Sequence, residues 1–67
     1  MKTLDLCEEK KRVRILSNPD LKTVELGLHS NALIRVVSNQ KGQNLVVQIY
    51  EQRYAIPREI ASKIVVK

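Results

Sequence analysis

The chain has 67 residues, a net charge of +5, and two tyrosines but no Phe or Trp. That bounds it to one domain with an aliphatic core, too short to build both a scaffold and a catalytic cleft, so no enzyme is expected. A single cysteine, Cys7, excludes an intrachain disulfide, and apolar runs of at most three residues exclude a membrane span or signal-peptide core. Val and Ile together supply 14 side chains and Leu 8, a mixture that favours strands. In chain order, Leu4 and Leu6 alternate with Asp5, which suits a short extended lead-in over Met1 to Glu9. Arg12 to Leu16 alternates polar and apolar, placing Val13 and Ile15 toward a core. Asn18 as cap, Pro19 at the first helical position and Asp20 in the first turn predict a short helix over residues 19–26. Leu21, Val24 and Leu28 follow at helical spacing, and Gly27 suits the position just past the helix end.

Ala32 to Val37 predicts a second strand, and the polar, Gly-containing stretch from Ser38 to Asn44 a loop. Leu45 to Tyr50 is a third strand. Glu51 and Gln52 separate it from a fourth over Arg53 to Ile56, which reads as a hairpin. Pro57 to Ala61 reads as one helical turn, and Ile64 to Val66 as a last short strand. Five short strands, one short helix and one helical turn predict a mainly β fold, a small closed barrel, since closure removes exposed edges.

Several runs in this order are similar to one family. Glu25-Leu26-Gly27-Leu28 and then Leu33-Ile34-Arg35-Val36-Val37 resemble its Leu-Gly-Leu segment and the strand after it. Leu45-Val46-Val47-Gln48-Ile49, the segment from Arg53 to Ala61, and Ile64-Val65-Val66 resemble its later motifs. The chain resembles FeoA, the small SH3-like protein of bacterial ferrous iron uptake, over residues 4 to 67. Three glycine positions of that pattern are altered. Ser30-Asn31 stands where the family carries Pro-Gly, and no Gly occurs near Glu8 to Lys10 or near Gln52. Asn31 still tolerates a left-handed turn. A related SH3-like module forms the C-terminal part of metal-dependent repressors, but a free chain of this length favours FeoA.

The resemblance implies a cytoplasmic accessory protein that contacts the cytosolic nucleotide-binding part of the FeoB permease and is recruited by it to the inner membrane. It implies no chemistry and no membrane insertion of its own. Leu26, Gly27, Leu28 and His29 are the element expected to meet the partner, with an exposed Leu28 as anchor and Leu26 either anchor or barrel plug. Arg53 and Arg58 are candidate contacts to an acidic surface. Residues 31–67 carry six bases against two acids, whereas residues 1–30 carry six against five, so the basic excess lies on the later strands. It would steer association with an acidic partner.

Other chemistry finds little support. The metal-ligating residue types are His29, Cys7, Asp5, Glu8 and Glu9. One His without a nearby acid makes a poor ferrous site, so neither a metal site nor a cofactor is expected. Ser17, Ser30, Ser38 and Ser62 have no His neighbour, so no catalytic residue is expected. A nucleic-acid-binding barrel is the alternative, weakened because only Tyr50 and Tyr54 offer stacking and at most one is expected to be exposed. A transition-metal-sensing SH3-like module is a further alternative. A thin aliphatic core also leaves pairing with a second copy open.

Overall fold

Residues 2–67 are described by the structure, a computed structural model; Met1 of the lead-in segment lies outside them. Alternating burial builds the sheet. In β2 (Arg12–Ser17), Val13 and Ile15 point inward and the arginines outward. In β3 (Leu33–Ser38), Ile34 and Val36 do the same. In β4 (Leu45–Ile49), Leu45, Val47 and Ile49 are buried. Each such side chain contributes about 1.5–3 kcal/mol on full burial. β5 (Gln52–Ile56) follows, and β6 (Val65–Val66) closes the chain. A further two-residue strand, β1 (Lys2–Thr3), pairs with β6 through Lys2 opposite Val66. The sheet therefore has six strands, in the order β1-β6-β2-β3-β4-β5 with antiparallel neighbours.

Two expectations change here. Among the described residues there are six strands rather than five, because the lead-in adds β1. The sheet curls without ladder closure, since the end strands β1 and β5 do not pair with each other. Register shifts between Ile15 and Ser17 and between Val36 and Ser38 bend β2 and β3. Inside the curl, Leu4, Ile15, Val36, Leu45, Val47 and Ile64 are fully buried.

The remainder of the lead-in is not extended. Leu4–Leu6 is a 3-10 turn that puts Leu4 in the core and leaves Leu6 66% exposed. An extended segment would have put both on one face. The turn also lets Cys7 pack inside.

Helix α1 (Leu21–Leu26) begins later than the spacing suggests, and its cap is Asp20 rather than Asn18. The Asp20 carboxylate accepts from the Thr23 backbone N–H at 2.9 Å, while Asn18 Oδ1 accepts from Asp20 N–H. Asn18 Nδ2 donates to the Leu28 carbonyl and the Thr23 hydroxyl, tying the two ends of α1 together. The buried residue of α1 is Thr23, not Leu21, which is 75% exposed. A six-residue helix is too short for apolar spacing to set its buried face, and side-chain bonds at its ends decide instead.

Helix α2 (Arg58–Ala61) follows Pro57 and buries Ala61. Among the described residues, three non-glycine residues adopt left-handed backbone angles: Lys10 (φ 66°), Asn31 (φ 73°) and Tyr50 (φ 56°). They stand at the three regions where the chain lacks the glycines of the family it resembles, so the left-handed geometry persists without them. Tyr50 also shifts the hairpin. Ile49 pairs with Gln52, so the two-residue turn is Tyr50-Glu51 rather than Glu51-Gln52.

Candidate protein-docking groove

The open mouth of the curl holds a groove of about 490 Å³, between the end of α1 and the β4–β5 hairpin. Gly27 sets one wall. With φ at +124°, it turns the chain out of α1, and an added Cβ would lie 3.0 Å from Ile49 Cγ2. Only a residue without a side chain brings this turn so close to β4. Leu26 and His29 flank it, and the hairpin supplies Tyr50 and Tyr54 opposite. The groove is edged by apolar groups left in water: Leu26 is 41% exposed, Leu33 50% and Tyr50 93%.

The residues singled out in the sequence divide. Leu26, Gly27 and His29 line the groove. Leu28 does not: it is completely buried, so it plugs the core and cannot serve as the exposed anchor. The chain reverses at Gly27, so the two leucines beside it face opposite ways. His29 is exposed, with Nδ1 3.0 Å from the Ser30 carbonyl oxygen.

Arg53 lies outside the groove, on the outer sheet face, with Nε 3.4 Å from Gln48 Oε1. Arg58 is half-buried and turned inward. Its guanidinium donates to Asn39 Oδ1 and, at 2.7 Å, to the Gln40 carbonyl, while its Nε is buried without a partner. It is a latch on the β3–β4 loop rather than a cation held out to a partner. Asn39, absent from the sequence expectations, is the centre of that latch. Its Nδ2 donates to the carbonyls of Cys7 (2.6 Å) and Asp5 (3.1 Å), and its N–H donates to Glu9 at 2.7 Å. Its only sequence signal is its place in a polar loop.

The titratable groups follow these contacts. Hydrogen bonds from the Asn39 N–H and the Gln40 amide hold the Glu9 carboxyl below its ordinary range. Those from Thr23 do the same for Asp20. Burial pushes the Cys7 thiol up, which keeps it a neutral core group. Among the described residues, no three His, Cys, Asp or Glu side chains come together as a metal site. No helix among them is long and apolar enough to cross a membrane.

Comparison with solved structures finds the same architecture. FeoA from Stenotrophomonas maltophilia, complexed with zinc and described as a prokaryotic SH3 domain protein, is 25% identical with a TM-score of 0.86, over 100% of this chain and 91% of that one. A crystal structure of an iron uptake regulatory protein, FeoA, is 19% identical with a TM-score of 0.89, over 97% of this chain and 92% of the other. The second likeness concerns the fold alone. No curated protein sequence matches. The sequence model of the FeoA domain matches residues 2–67. That match spans every described strand and both walls of the groove, and the chain belongs to the FeoA domain family.

Proposed function

We propose that this chain is a small accessory protein of ferrous iron uptake that acts by protein–protein contact with the cytosolic domain of a FeoB-type permease. Family membership supports the iron-transport role. The groove supports the mode of action: a preformed apolar cleft edged by exposed Leu26, Leu33 and Tyr50 is the kind of surface that accepts an apolar anchor from a partner. The protein in this reading works in the cytoplasm, reaches the inner membrane through its partner and catalyses no reaction. Leu26, Gly27 and His29 remain the proposed contact residues, joined by Tyr50; Arg53 contributes from the outer face. The test is capture of the permease's soluble cytosolic domain by the full chain at low and moderate salt, beside Leu26→Glu. Leu26 is exposed, so this variant keeps the fold and is expected to lose capture. No capture by the folded wild-type chain at either salt concentration would refute the proposal.

A further inference from the structure

The outer face of the sheet carries a feature that the groove does not use. Arg12 lies opposite Arg35, Arg35 opposite Gln48, and Gln48 opposite Arg53, so the four side chains form one row across β2, β3, β4 and β5. At about 4.8 Å per strand the row runs about 14 Å. Directly opposed like charges on a sheet are unfavourable, and among the described residues no carboxylate bonds to these guanidinium groups. A shallow pocket of about 380 Å³ opens between Arg12, Arg35 and Gln48. The row ends on β5, which pairs with β4 alone and is an edge strand. The two-residue turn fixes the pairing parity: Gln52, Tyr54 and Ile56 exchange backbone bonds with β4. The backbone groups of Arg53 and Ala55 therefore point away from the sheet. Both residues are exposed, and the far side of β5 opens on the groove rather than on another strand.

We propose that the β5 edge takes up an extended, acidic segment of a partner protein as an added strand, with a carboxylate bound by Arg53 and the arginine row behind it drawing in negative charge. Main-chain bonds to Arg53 and Ala55 would supply affinity, and Arg53, with the field of the row behind it, would supply charge selection. The added strand would run alongside β5 and cross the end of the row, so one of its carboxylates sits beside Arg53 while Arg35, three strands away at about 14 Å, adds longer-range attraction. Two rival occupants fit less well. A second copy carries the same +5 charge, which opposes edge-to-edge pairing. A nucleic acid could use the arginines, but it cannot bond to a strand edge in this way, and beside the row only Tyr50 is fully open for stacking. The inference does not depend on the iron-permease reading.

The experiment titrates the full chain into a labelled, capped peptide alternating Glu and Val, read by fluorescence anisotropy. Ala55→Pro removes an N–H that β4 does not use, and Pro is tolerated at such an edge position. Arg53→Glu reverses the charge. Each is expected to weaken binding about tenfold or more, and added salt is expected to weaken it further. N-methylating the peptide at the alternate residues facing β5 tests the edge with the wild-type chain, and it is expected to abolish binding in one register only. No binding of the unmodified peptide overturns the proposal. Binding indifferent to peptide N-methylation in both registers also overturns it, leaving charge attraction alone. Tighter binding of a thymidine oligonucleotide that Ala55→Pro leaves unchanged points to a nucleic-acid face instead. Concentration-dependent self-association that Ala55→Pro removes assigns the edge to a second copy.

Discussion

Asn39→Ala is the sharpest probe of how this fold is held. The side chain joins three segments: the lead-in, through the Asp5 and Cys7 carbonyls; its own loop; and α2, through Arg58. Two neutral hydrogen bonds contribute about 1 kcal/mol each, and one to a charged group about 1.5–3. Correcting for their shared partner, we expect a loss of about 3 kcal/mol. The whole stability of a domain this size is about 3–10 kcal/mol, at 0.05–0.15 per residue. The variant should therefore melt about 12–24 °C lower, at 4–8 °C per kcal/mol. Urea unfolding of the wild type, Asn39→Ala, Arg58→Ala and the double variant measures it. Arg58→Ala should be milder, because it also removes the buried Nε that has no partner. The double variant should lose less than the two single losses combined, since they share a bond. An Asn39→Ala loss under about 1 kcal/mol, or strict additivity, would show that the latch does not hold these segments together.

Three further outcomes follow from the backbone and the charges. Tyr50→Gly should stabilise the chain by about 1 kcal/mol in the same urea assay, because it relieves a left-handed φ of 56° on a side chain that is 93% exposed, yet it should weaken capture of the permease domain. Gly27→Ala should destabilise by about 2 kcal/mol and Gly42→Ala by about 1, since both have positive φ but only the first meets a neighbour, Ile49, at 3.0 Å; equal losses would contradict the close approach. Glu9 has its carboxyl lowered in the fold, so its contribution is present above the unfolded value near 4.3 and is lost as pH falls through the lower folded value. Glu9→Gln should accordingly flatten the acid limb of stability against pH and leave the slope between pH 6 and 8 unchanged, as followed by circular dichroism.

The strands were legible because their residues alternate and each inner position is filled by an aliphatic side chain. Val13, Ile15, Val47 and Ile49 could be assigned inward by parity alone, and all four are buried. Parity failed at the lead-in, where a 3-10 turn replaces extended chain, and at the hairpin, where Tyr50 accepts the left-handed angle that a glycine would normally take. The helix failed differently. Its apolar spacing implied a buried face, but Leu21 lies in water, because Asn18, Asp20 and Thr23 orient the segment through hydrogen bonds that no periodicity reveals.

Half of the groove was likewise within reach. Leu26, Gly27 and His29 fall within four consecutive residues, and a glycine between leucines marks a reversal. The other half comes from Tyr50 and Tyr54, which reach the same place only because the hairpin folds across the open mouth.

By itself, then, the sequence determined an aliphatic, mainly β domain of the FeoA kind, a left-handed turn after α1 and at Asn31, and a basic excess on the later strands. These are properties of residue type, local spacing and charge, which act over a few residues. Tertiary structure alone decided that Leu28 fills the core while Leu26 faces the groove, that Arg58 turns inward to Asn39, that β1 adds a sixth strand, and that three arginines align on one face ending at an open edge. Each of these depends on which distant segments pair and in what register, and register is set by the packing of the whole sheet.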